Sequence, residues 1–176
     1  MKDRNLRAVF IGLLFTLCLP LTPACGQKIS PSLEPNKSQH EQIQRGHGMF
    51  MHFGVNTFNN VEWSYGKLPP SSYNPTELDC DQWVRFAKEA GFRYILLVTK
   101  HHDGFCLLDS NYTDYDVGSS PVKTNVVKEV AQACQKYGIE FTAYYSLWDL
   151  HEPLHKDPDP QKYIVGVRRN EKCFRK

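Results

Sequence analysis

The feature that most constrains this chain is the alternation of short apolar segments with segments of helical periodicity. The apolar segments span residues 48–54 (GMFMHFG), 94–99 (YILLVT) and 139–146 (IEFTAYYS). Each is long enough for one buried strand, and nearly unbroken apolar runs are typical of strands in a helix-covered parallel sheet. The first strand is expected to end near His52.

Two amphipathic helices are predicted between these strands. Residues 80–90 carry apolar side chains at the i, i+3, i+4, i+7 spacing, and Asp79 can cap the start of this helix while Gly91 ends it. The second helix begins at Asn125 and stops at Gly138. The side chains expected to face the core are Cys80, Trp83, Val84 and Ala87 in the first helix, and Val127, Val130, Ala131 and Cys134 in the second.

The order strand, helix, strand, helix, strand predicts an α/β fold in which right-handed crossovers make the strands parallel. Two architectures fit this order, a (β/α)8 TIM-like barrel and a doubly wound sheet. The loop after the first strand, FGVNTFNNVEW, lacks the GxGxxG motif of dinucleotide-binding sheets. The barrel is therefore favoured, and only its first roughly three βα units are recognisable in the chain.

Polar and aromatic side chains follow the end of each predicted strand. Because ligands bind at the carboxyl ends of the strands in both architectures, we expect one site there. Imidazoles donate and accept hydrogen bonds, and aromatic rings pack on the C–H faces of a sugar, so this set favours a carbohydrate over a phosphate. The cluster comprises His52, Glu62 and Trp63, then His101, His102 and Asp103, then Tyr144, Tyr145, Trp148 and Asp149.

Four stretches of the chain are distinctive: GMFMHFG, VEW, CDQWVRFAKEAGFRYILLVTKHHDGFCLLDSNYTDYDV and FTAYYSLWD. Together, over residues 47–160, they resemble the amino-terminal half of the catalytic domain of family 29 glycoside hydrolases, the retaining α-L-fucosidases. The resemblance implies a (β/α)8-like barrel followed by a β-sandwich, no cofactor, and a fucosylated oligosaccharide or glycoconjugate as substrate. It also implies that the fucose pocket is lined by His52, Glu62, Trp63, His101, His102 and Tyr145.

Several of these residues also have a purely structural interpretation. Taken alone, His52 at the end of an apolar strand is a satisfied core histidine more often than a ligand-binding one. His101 and His102 point to opposite sides if both keep strand geometry, so one of them can be structural. Asp103 precedes a glycine, which is foremost a turn signal. Trp83 lies on the helical stripe and is expected to pack in the core.

The catalytic carboxylates cannot be assigned from the sequence. Retaining hydrolysis needs two carboxyl groups about 5–5.5 Å apart, and the family places them after later barrel strands that have no match here. Residues 41–176 are therefore interpreted as the amino-terminal portion of the barrel, in a truncated fragment. Three strands cannot close a barrel, so the chain alone is expected to be inactive and prone to aggregate.

The first residues resemble an export signal. Three basic residues precede an apolar run at 8–19, which is too short to span a bilayer. Residues 1–24 are predicted to be a signal peptide, Cys25 is the candidate for a lipid anchor, and the alternative is ordinary cleavage that leaves Cys25 a free thiol. Residues 25–40, rich in Pro and Ser, are predicted to be a tether. The expected location is the bacterial periplasm or cell envelope.

The cysteine spacing and the net charge argue against two further classes of protein, those built on a disulfide framework and those that bind nucleic acid. The remaining cysteines have no regular spacing, and Cys80 and Cys134 are expected to lie in the core as free thiols, with a disulfide framework as the alternative. The chain has 21 Lys and Arg against 19 Asp and Glu, a net charge of +2. With no basic field, no nucleic-acid partner is expected.

Two other functions are compatible with the sequence. In a metal-dependent barrel hydrolase, zinc would be held by His47, His52, His101, His102 and Asp103, although no HExxH motif is present. In a non-catalytic glycan-binding lipoprotein, the same histidines would bind fucose without hydrolysing it. Metal analysis separates the first alternative, and fucose binding without turnover would support the second.

Overall fold

The computed structural model describes residues 33–164, and within them it contains a three-stranded parallel sheet. The strands are β1 (Gly48–Met51), β2 (Tyr94–Lys100) and β3 (Glu140–Tyr145), hydrogen-bonded in the order β1-β2-β3. The predicted strands and their parallel pairing are confirmed. The predicted signal peptide and Cys25 lie outside the described residues. No helix in the described part is long and apolar enough to cross a membrane.

Four α-helices have both ends in the described part: α1 (Lys37–Arg45), α2 (Val55–Phe58), α3 (Cys80–Glu89) and α4 (Val126–Tyr137). The predicted cap of α3 by Asp79 and the predicted stop of α4 at Gly138 are confirmed, and Asn125, predicted as the first residue of α4, is its N-cap. The Asp79 side chain accepts a hydrogen bond from the Gln82 N–H at 2.8 Å, and the Asn125 side chain accepts one from the Lys128 N–H at 2.9 Å. Gly138 ends α4 in the left-handed conformation, with φ 62°.

The core lies between α3, α4 and one face of the sheet. Ile95 and Leu97 of β2 are fully buried in the same cluster as Val84 and Val130. The opposite face carries Leu96 and, next to it in β1, Phe50, which keeps 54% of its surface exposed. The helices of the described region therefore bury one side of the sheet more completely than the other.

The predicted apolar face of α4 is partly wrong. Val130 and Cys134 are buried as expected, and Val127 packs against the core although it is only half-buried. Ala131 is also only half-buried, and Val126 and Ala133 are buried in the core instead. Two adjacent valines at the start of the helix satisfy the apolar spacing in either phase. The packing against α3 and the sheet, which the spacing alone does not contain, selects the phase.

Helix α1 corrects the predicted boundary between tether and domain. It covers residues 37–40, which the sequence assigned to the tether. Its last turn is fixed to the amino-terminal end of the sheet, since Arg45 pairs with Glu140 of β3 and the Gln42 side chain donates to the Tyr94 hydroxyl at 3.4 Å. The signal for its start is a capping box between Asn36 and Gln39, which the Pro and Ser content around it obscured.

This capping box predicts a measurable contribution to stability. We expect Asn36→Ala to lower the free energy of unfolding by about 1 kcal/mol, because it removes the acceptor of the Gln39 N–H. Asn36→Ser keeps an acceptor and serves as the matched control. Urea denaturation followed by circular dichroism measures both, and equal stability of the alanine and serine variants would contradict the prediction.

The cysteines of the described region lie in the protein interior, and Cys80 and Cys134 are free thiols as predicted. Cys80, Cys106 and Cys134 are all buried, which confirms the core placement predicted for Cys80 and Cys134. Burial raises the pKa of the Cys80 thiol to about 12 and that of Cys134 to about 11. Because the thiolate is the reactive form, these cysteines behave as small apolar side chains.

Candidate functional site

The carboxyl ends of β1 and β2 bring three histidines together. His52 follows the last residue of β1, and His101 and His102 follow the last residue of β2. The ring centroids of His52 and His101 are 5.7 Å apart, and those of His101 and His102 are 4.6 Å apart. The sequence prediction that these strand ends meet is confirmed for this trio.

Two tryptophans extend the histidine cluster into an aromatic surface. The Trp63 ring stacks on His102 with centroids 4.9 Å apart and an interplanar angle of 19°, and it lies 5.8 Å from His101. Trp148, 49% exposed, lies 5.6 Å from Trp63 and 5.3 Å from His102. We call Trp63, His102 and Trp148 the aromatic wall.

A cavity of about 280 Å³ opens beside the histidines. This volume is near the lower end of the range of about 300–1,000 Å³ typical of small-molecule sites. Six residues were predicted to line the fucose pocket. Of these, His52, Glu62 and His101 line this cavity, whereas Trp63, His102 and Tyr145 do not. The lining residues are His52, Phe53, Gly54, Asn56, Thr57, Val61, Glu62, Val98, His101, Asp103, Phe105 and Leu107.

The sequence missed the part of this lining that carries no distinctive chemistry. Asn56 and Thr57 belong to α2, a single turn that no periodicity marks in the sequence. The Asn56 side chain donates to the Glu62 carbonyl at 3.0 Å and so ties α2 to the segment that carries Glu62 and Trp63. An asparagine six residues before a glutamate is not a recognisable signal, and only the folded loop reveals the contact.

The electrostatic environment favours neutral imidazoles at His101 and His102. Burial, followed by the neighbouring His52, lowers the pKa of His101, and burial, followed by His101, lowers the pKa of His102. His101 Nδ1 is buried, and its distance to the Asp103 carboxylate, 3.8 Å, is too long for a hydrogen bond. Neutral imidazole offers one donor and one acceptor, which suits hydroxyl ligands.

The strand-end carboxylates differ in what they are free to do. Asp149 is buried, pairs with Lys100 at 3.1 Å and accepts from the backbone N–H groups of His151 and Glu152. Glu62, by contrast, is exposed at the cavity. Of these two, Glu62 is the carboxylate that a ligand can reach.

Asp103 confirms the turn interpretation. The Gly104 N–H donates to the His101 carbonyl at 3.1 Å, and Gly104 has φ +93°, a conformation that favours glycine. The Asp103 carboxylate accepts from the Phe105 N–H at 2.7 Å. It also lines the cavity, and burial raises the pKa of its carboxyl group. Asp103 therefore shapes the turn that presents His101 and His102.

Tyr145 and Trp83 lie apart from the cavity. Lys100 Nζ is 4.8 Å from the centre of the Tyr145 ring, so this tyrosine packs against the buried lysine. Trp83 is partly buried against the core, with its ring 4.8 Å from that of Phe53. The packing interpretation of Trp83 is confirmed, and the pocket-lining role of Tyr145 stays a prediction.

The proposed zinc ligands are not assembled. His47 precedes β1 and His52 follows it, so the strand places them at opposite ends of the sheet. The His47 carbonyl accepts from the Arg93 N–H at 2.8 Å, at the amino-terminal side of β2. Within residues 33–164, no group of three or more His, Cys, Asp or Glu side chains is arranged to hold a metal ion.

The sequence of this chain matches the model of a known protein family. The family model described as Alpha-L-fucosidase matches residues 34–171, which include every residue of the histidine cluster and the aromatic wall. The chain belongs to the α-L-fucosidase family. The resemblance inferred from the sequence motifs is therefore confirmed.

Individual α-L-fucosidases and related structures agree with this family membership. Alpha-L-fucosidase 1 of Arabidopsis thaliana is 49% identical over 129 residues, which are 71% of this chain and 26% of the plant protein. A glycoside hydrolase 29 family member from an unknown rumen bacterium has a TM-score of 0.70 at 38% identity, over 78% of this chain and 25% of that one.

The structure of a third relative was solved as a trapped covalent intermediate. The family 29 α-L-fucosidase of Bacteroides thetaiotaomicron, trapped as a covalent intermediate with 2-fluoro-fucosyl fluoride, has a TM-score of 0.62 at 27% identity, over 81% of this chain and 38% of that one. The chain thus spans between about a quarter and two fifths of the length of these relatives.

The lowered pKa values of the two histidines predict a pH-dependent stability. Because the folded chain holds the pKa of His101 and His102 below the ordinary 6.5, protons bind the unfolded chain more readily. Their contribution to folding is complete above about pH 6.5 and is lost as the pH falls through the unfolded value towards the folded one.

The comparison that isolates this effect uses His102→Asn. We expect the free energy of unfolding, measured by urea denaturation across this pH range, to fall less steeply on acidification in the variant than in the wild type. Identical slopes, or a steeper fall in the variant, would contradict the assignment of a lowered pKa to His102.

Proposed function

We propose that this chain supplies the fucose-binding part of the catalytic domain of an α-L-fucosidase, which removes terminal α-L-fucosyl residues from glycans. The consecutive order β1-β2-β3, all parallel, is compatible with the first three strands of a (β/α)8 barrel. Family membership supports the same architecture, with residues 37–164 covering its first three βα units.

One observation carries this proposal: the cavity polar groups at the strand ends are imidazoles and a reachable carboxylate, set beside the aromatic wall. Fucose is a 6-deoxy sugar that carries ring hydroxyls, C–H groups and a methyl group, so it needs both donors and acceptors and an apolar contact surface. His52 and His101 supply the hydrogen-bonding groups, Glu62 accepts from a hydroxyl, and Trp63 packs against the sugar.

The roles of His102 and Tyr145 complete the proposed set. His102 stacks on Trp63 within the aromatic wall and lies next to His101, which lines the cavity. Tyr145 covers the buried Lys100 beneath the strand ends, and its role as a lining residue requires the sugar to reach the third strand. We propose both as contributors to the fucose pocket.

The chemistry proposed for the whole protein is retaining hydrolysis. The covalent intermediate trapped in the relative from Bacteroides thetaiotaomicron supports a double displacement, in which a carboxylate attacks the sugar and water later releases it. In the described region, Asp149 is held in its ion pair and Asp103 in its turn, so neither is proposed as the nucleophile. Glu62 alone cannot provide the two carboxyl groups that this mechanism needs.

Calorimetry with L-fucose tests the binding proposal. We expect the monomeric fraction of the chain, separated from aggregates, to bind L-fucose in a saturable way and its mirror image, D-fucose, to produce no saturable heat at the same concentrations. The enantiomer has the same composition and polarity, so it controls for nonspecific adsorption. Equal heats for the two sugars, or none for either, would count against a fucose pocket in this chain.

Hydrolysis is tested separately with an aryl α-L-fucoside. We expect the purified chain to bind the compound without releasing the aryl group, because the described region supplies no pair of free carboxylates at the site. The non-catalytic glycan-binding alternative predicts the same outcome, and the family match over residues 34–171 favours the fucosidase over it. Turnover that a transition-state mimic abolishes would show this expectation to be wrong. Stoichiometric zinc with activity lost to a chelator would instead support the metal-dependent alternative.

We also propose export to the periplasm or cell envelope, with residues 1–24 as the signal peptide and Cys25 as the lipid-bearing residue. The apolar run and its basic flank support this proposal. Intact-mass measurement of the chain purified from a bacterial membrane fraction tests it. We expect a mature chain that begins at Cys25 and carries acyl mass, and Cys25→Ser is expected to abolish the acylation.

A further inference from the structure

Ser146 lies between His102 and the backbone of Trp148, just after β3. Its hydroxyl oxygen is 2.6 Å from His102 Nδ1 and 2.7 Å from the Trp148 carbonyl oxygen. The residue is buried, and its N–H donates to the Lys100 carbonyl at 3.0 Å, which ties it to the end of β2. The hydroxyl is therefore held in place by the sheet rather than by a mobile loop alone.

The two contacts of this hydroxyl determine where its proton points. A carbonyl oxygen only accepts hydrogen bonds, so the contact with Trp148 requires the single hydroxyl proton of Ser146. The hydroxyl then presents a lone pair to His102. If Nδ1 carried no proton, two lone pairs would face each other at 2.6 Å, which is repulsive. Nδ1 must therefore be the donor.

We propose that Ser146 is a positioning residue that holds His102 in the Nδ1–H tautomer, so that Nε2 is left as the acceptor for a hydroxyl of a fucose bound against the aromatic wall, beside the cavity that His101 lines. The second half of this inference rests on the proposed function, and the first half does not. Trp63 fixes the plane of the imidazole, because its ring stacks on that of His102 with the two centroids 4.9 Å apart. Serine and tryptophan together define both the proton position and the plane of the imidazole.

Two further observations support this assignment. Burial lowers the pKa of His102, which favours the neutral ring, and in the neutral ring a proton on Nδ1 leaves Nε2 without one. His101 provides a contrast, because its buried Nδ1 has no hydrogen-bond partner among the described residues, and the Asp103 carboxylate is 3.8 Å away. The structure thus fixes the tautomer of one histidine of the pair by a hydrogen bond.

The tautomer is read directly from the ring nitrogen signals of the ¹⁵N-histidine-labelled full chain, without sugar, at mildly alkaline pH. We expect His102 to show a protonated Nδ1 and an unprotonated Nε2, whereas free histidine favours the opposite tautomer. A protonated Nε2 as the major form would overturn the proposal. This measurement needs no variant, so it stands even if substitutions at Ser146 impair folding.

Substitution tests whether Ser146 is the cause. In Ser146→Ala we expect the Nε2–H form of His102 to become substantial and the affinity for L-fucose to fall about threefold to tenfold, the effect of one neutral hydrogen bond. Ser146→Thr retains the hydroxyl and is expected to keep the Nδ1–H form. The matched control, Ser119→Ala, removes an exposed hydroxyl and should change neither signal nor affinity.

The outcomes separate the tautomer from the function. An unchanged Nδ1–H signal in folded Ser146→Ala would overturn the role of Ser146. The Nδ1–H form in a wild-type chain that binds no L-fucose would support the positioning of the ring and overturn its assignment to sugar binding. A shift of the Nε2 signal on addition of L-fucose, without protonation of Nε2, is the result expected if both halves hold.

Discussion

Replacing Lys100 with methionine is expected to destabilise the chain by about 3–5 kcal/mol, the cost typical of leaving one member of a buried ion pair alone. Lys100 is 1% exposed and its ammonium lies 3.1 Å from the Asp149 carboxylate, itself buried. Methionine keeps the apolar stem but leaves the carboxylate without its counter-charge. Urea denaturation of the full chain measures the loss.

The matched control neutralises both members of the pair. In Lys100→Met with Asp149→Asn, the asparagine retains an oxygen for the N–H groups of His151 and Glu152, and neither member of this ion pair keeps a buried charge. We expect the double variant to regain most of the stability lost in Lys100→Met. A cost below about 1 kcal/mol for the single variant, a size typical of exposed pairs, would contradict the burial of this interaction.

Replacing Trp63 with alanine is expected to weaken L-fucose binding about 10- to 100-fold, which corresponds to roughly 1.4–2.8 kcal/mol. Trp63 contacts the rings of His101, His102 and Trp148, so its removal takes away the apolar surface and loosens the neighbouring imidazoles. Each aromatic pair contributes about 0.5–1.5 kcal/mol beyond the buried area, which is enough for an effect of this size.

The control for Trp63→Ala is a tryptophan outside the site. Trp83 packs against Phe53 in the core, and Trp83→Phe is expected to lower stability while the affinity of the folded chain for L-fucose stays unchanged. Calorimetry on both variants makes the comparison. Equal affinity of Trp63→Ala and the wild type for L-fucose would show that the aromatic wall does not contribute to sugar binding.

The strands and the larger helices could be predicted because local signals and packing agree in them. The run YILLVT becomes β2, and Asp79 and Asn125 cap α3 and α4 as their positions predict. The phase of α4 could not be read, because Val126 and Val127 both fit the apolar spacing and tertiary packing decides between them. Helix α1 was not predicted, because its capping box lies in a segment whose composition resembles a tether.

The site was predictable in its histidines and less so in its support. His52, His101 and His102 stand directly after strands, so parallel pairing alone brings them to one edge. The contacts of Lys100 with Asp149 and of Ser146 with His102 join β2 to the segment after β3, over 49 and 44 residues of sequence. No spacing rule predicts such pairs, because they depend on how the third strand is placed.

Fucose binding by the histidines at the strand ends is tested most directly by the ring nitrogen signals of the ¹⁵N-histidine-labelled chain. On titration with L-fucose we expect saturable shifts at His52, His101 and His102, and none at His40 on the exposed face of α1 or at His155. No shift at the three cluster histidines, or an equal shift at His40, would contradict the claim.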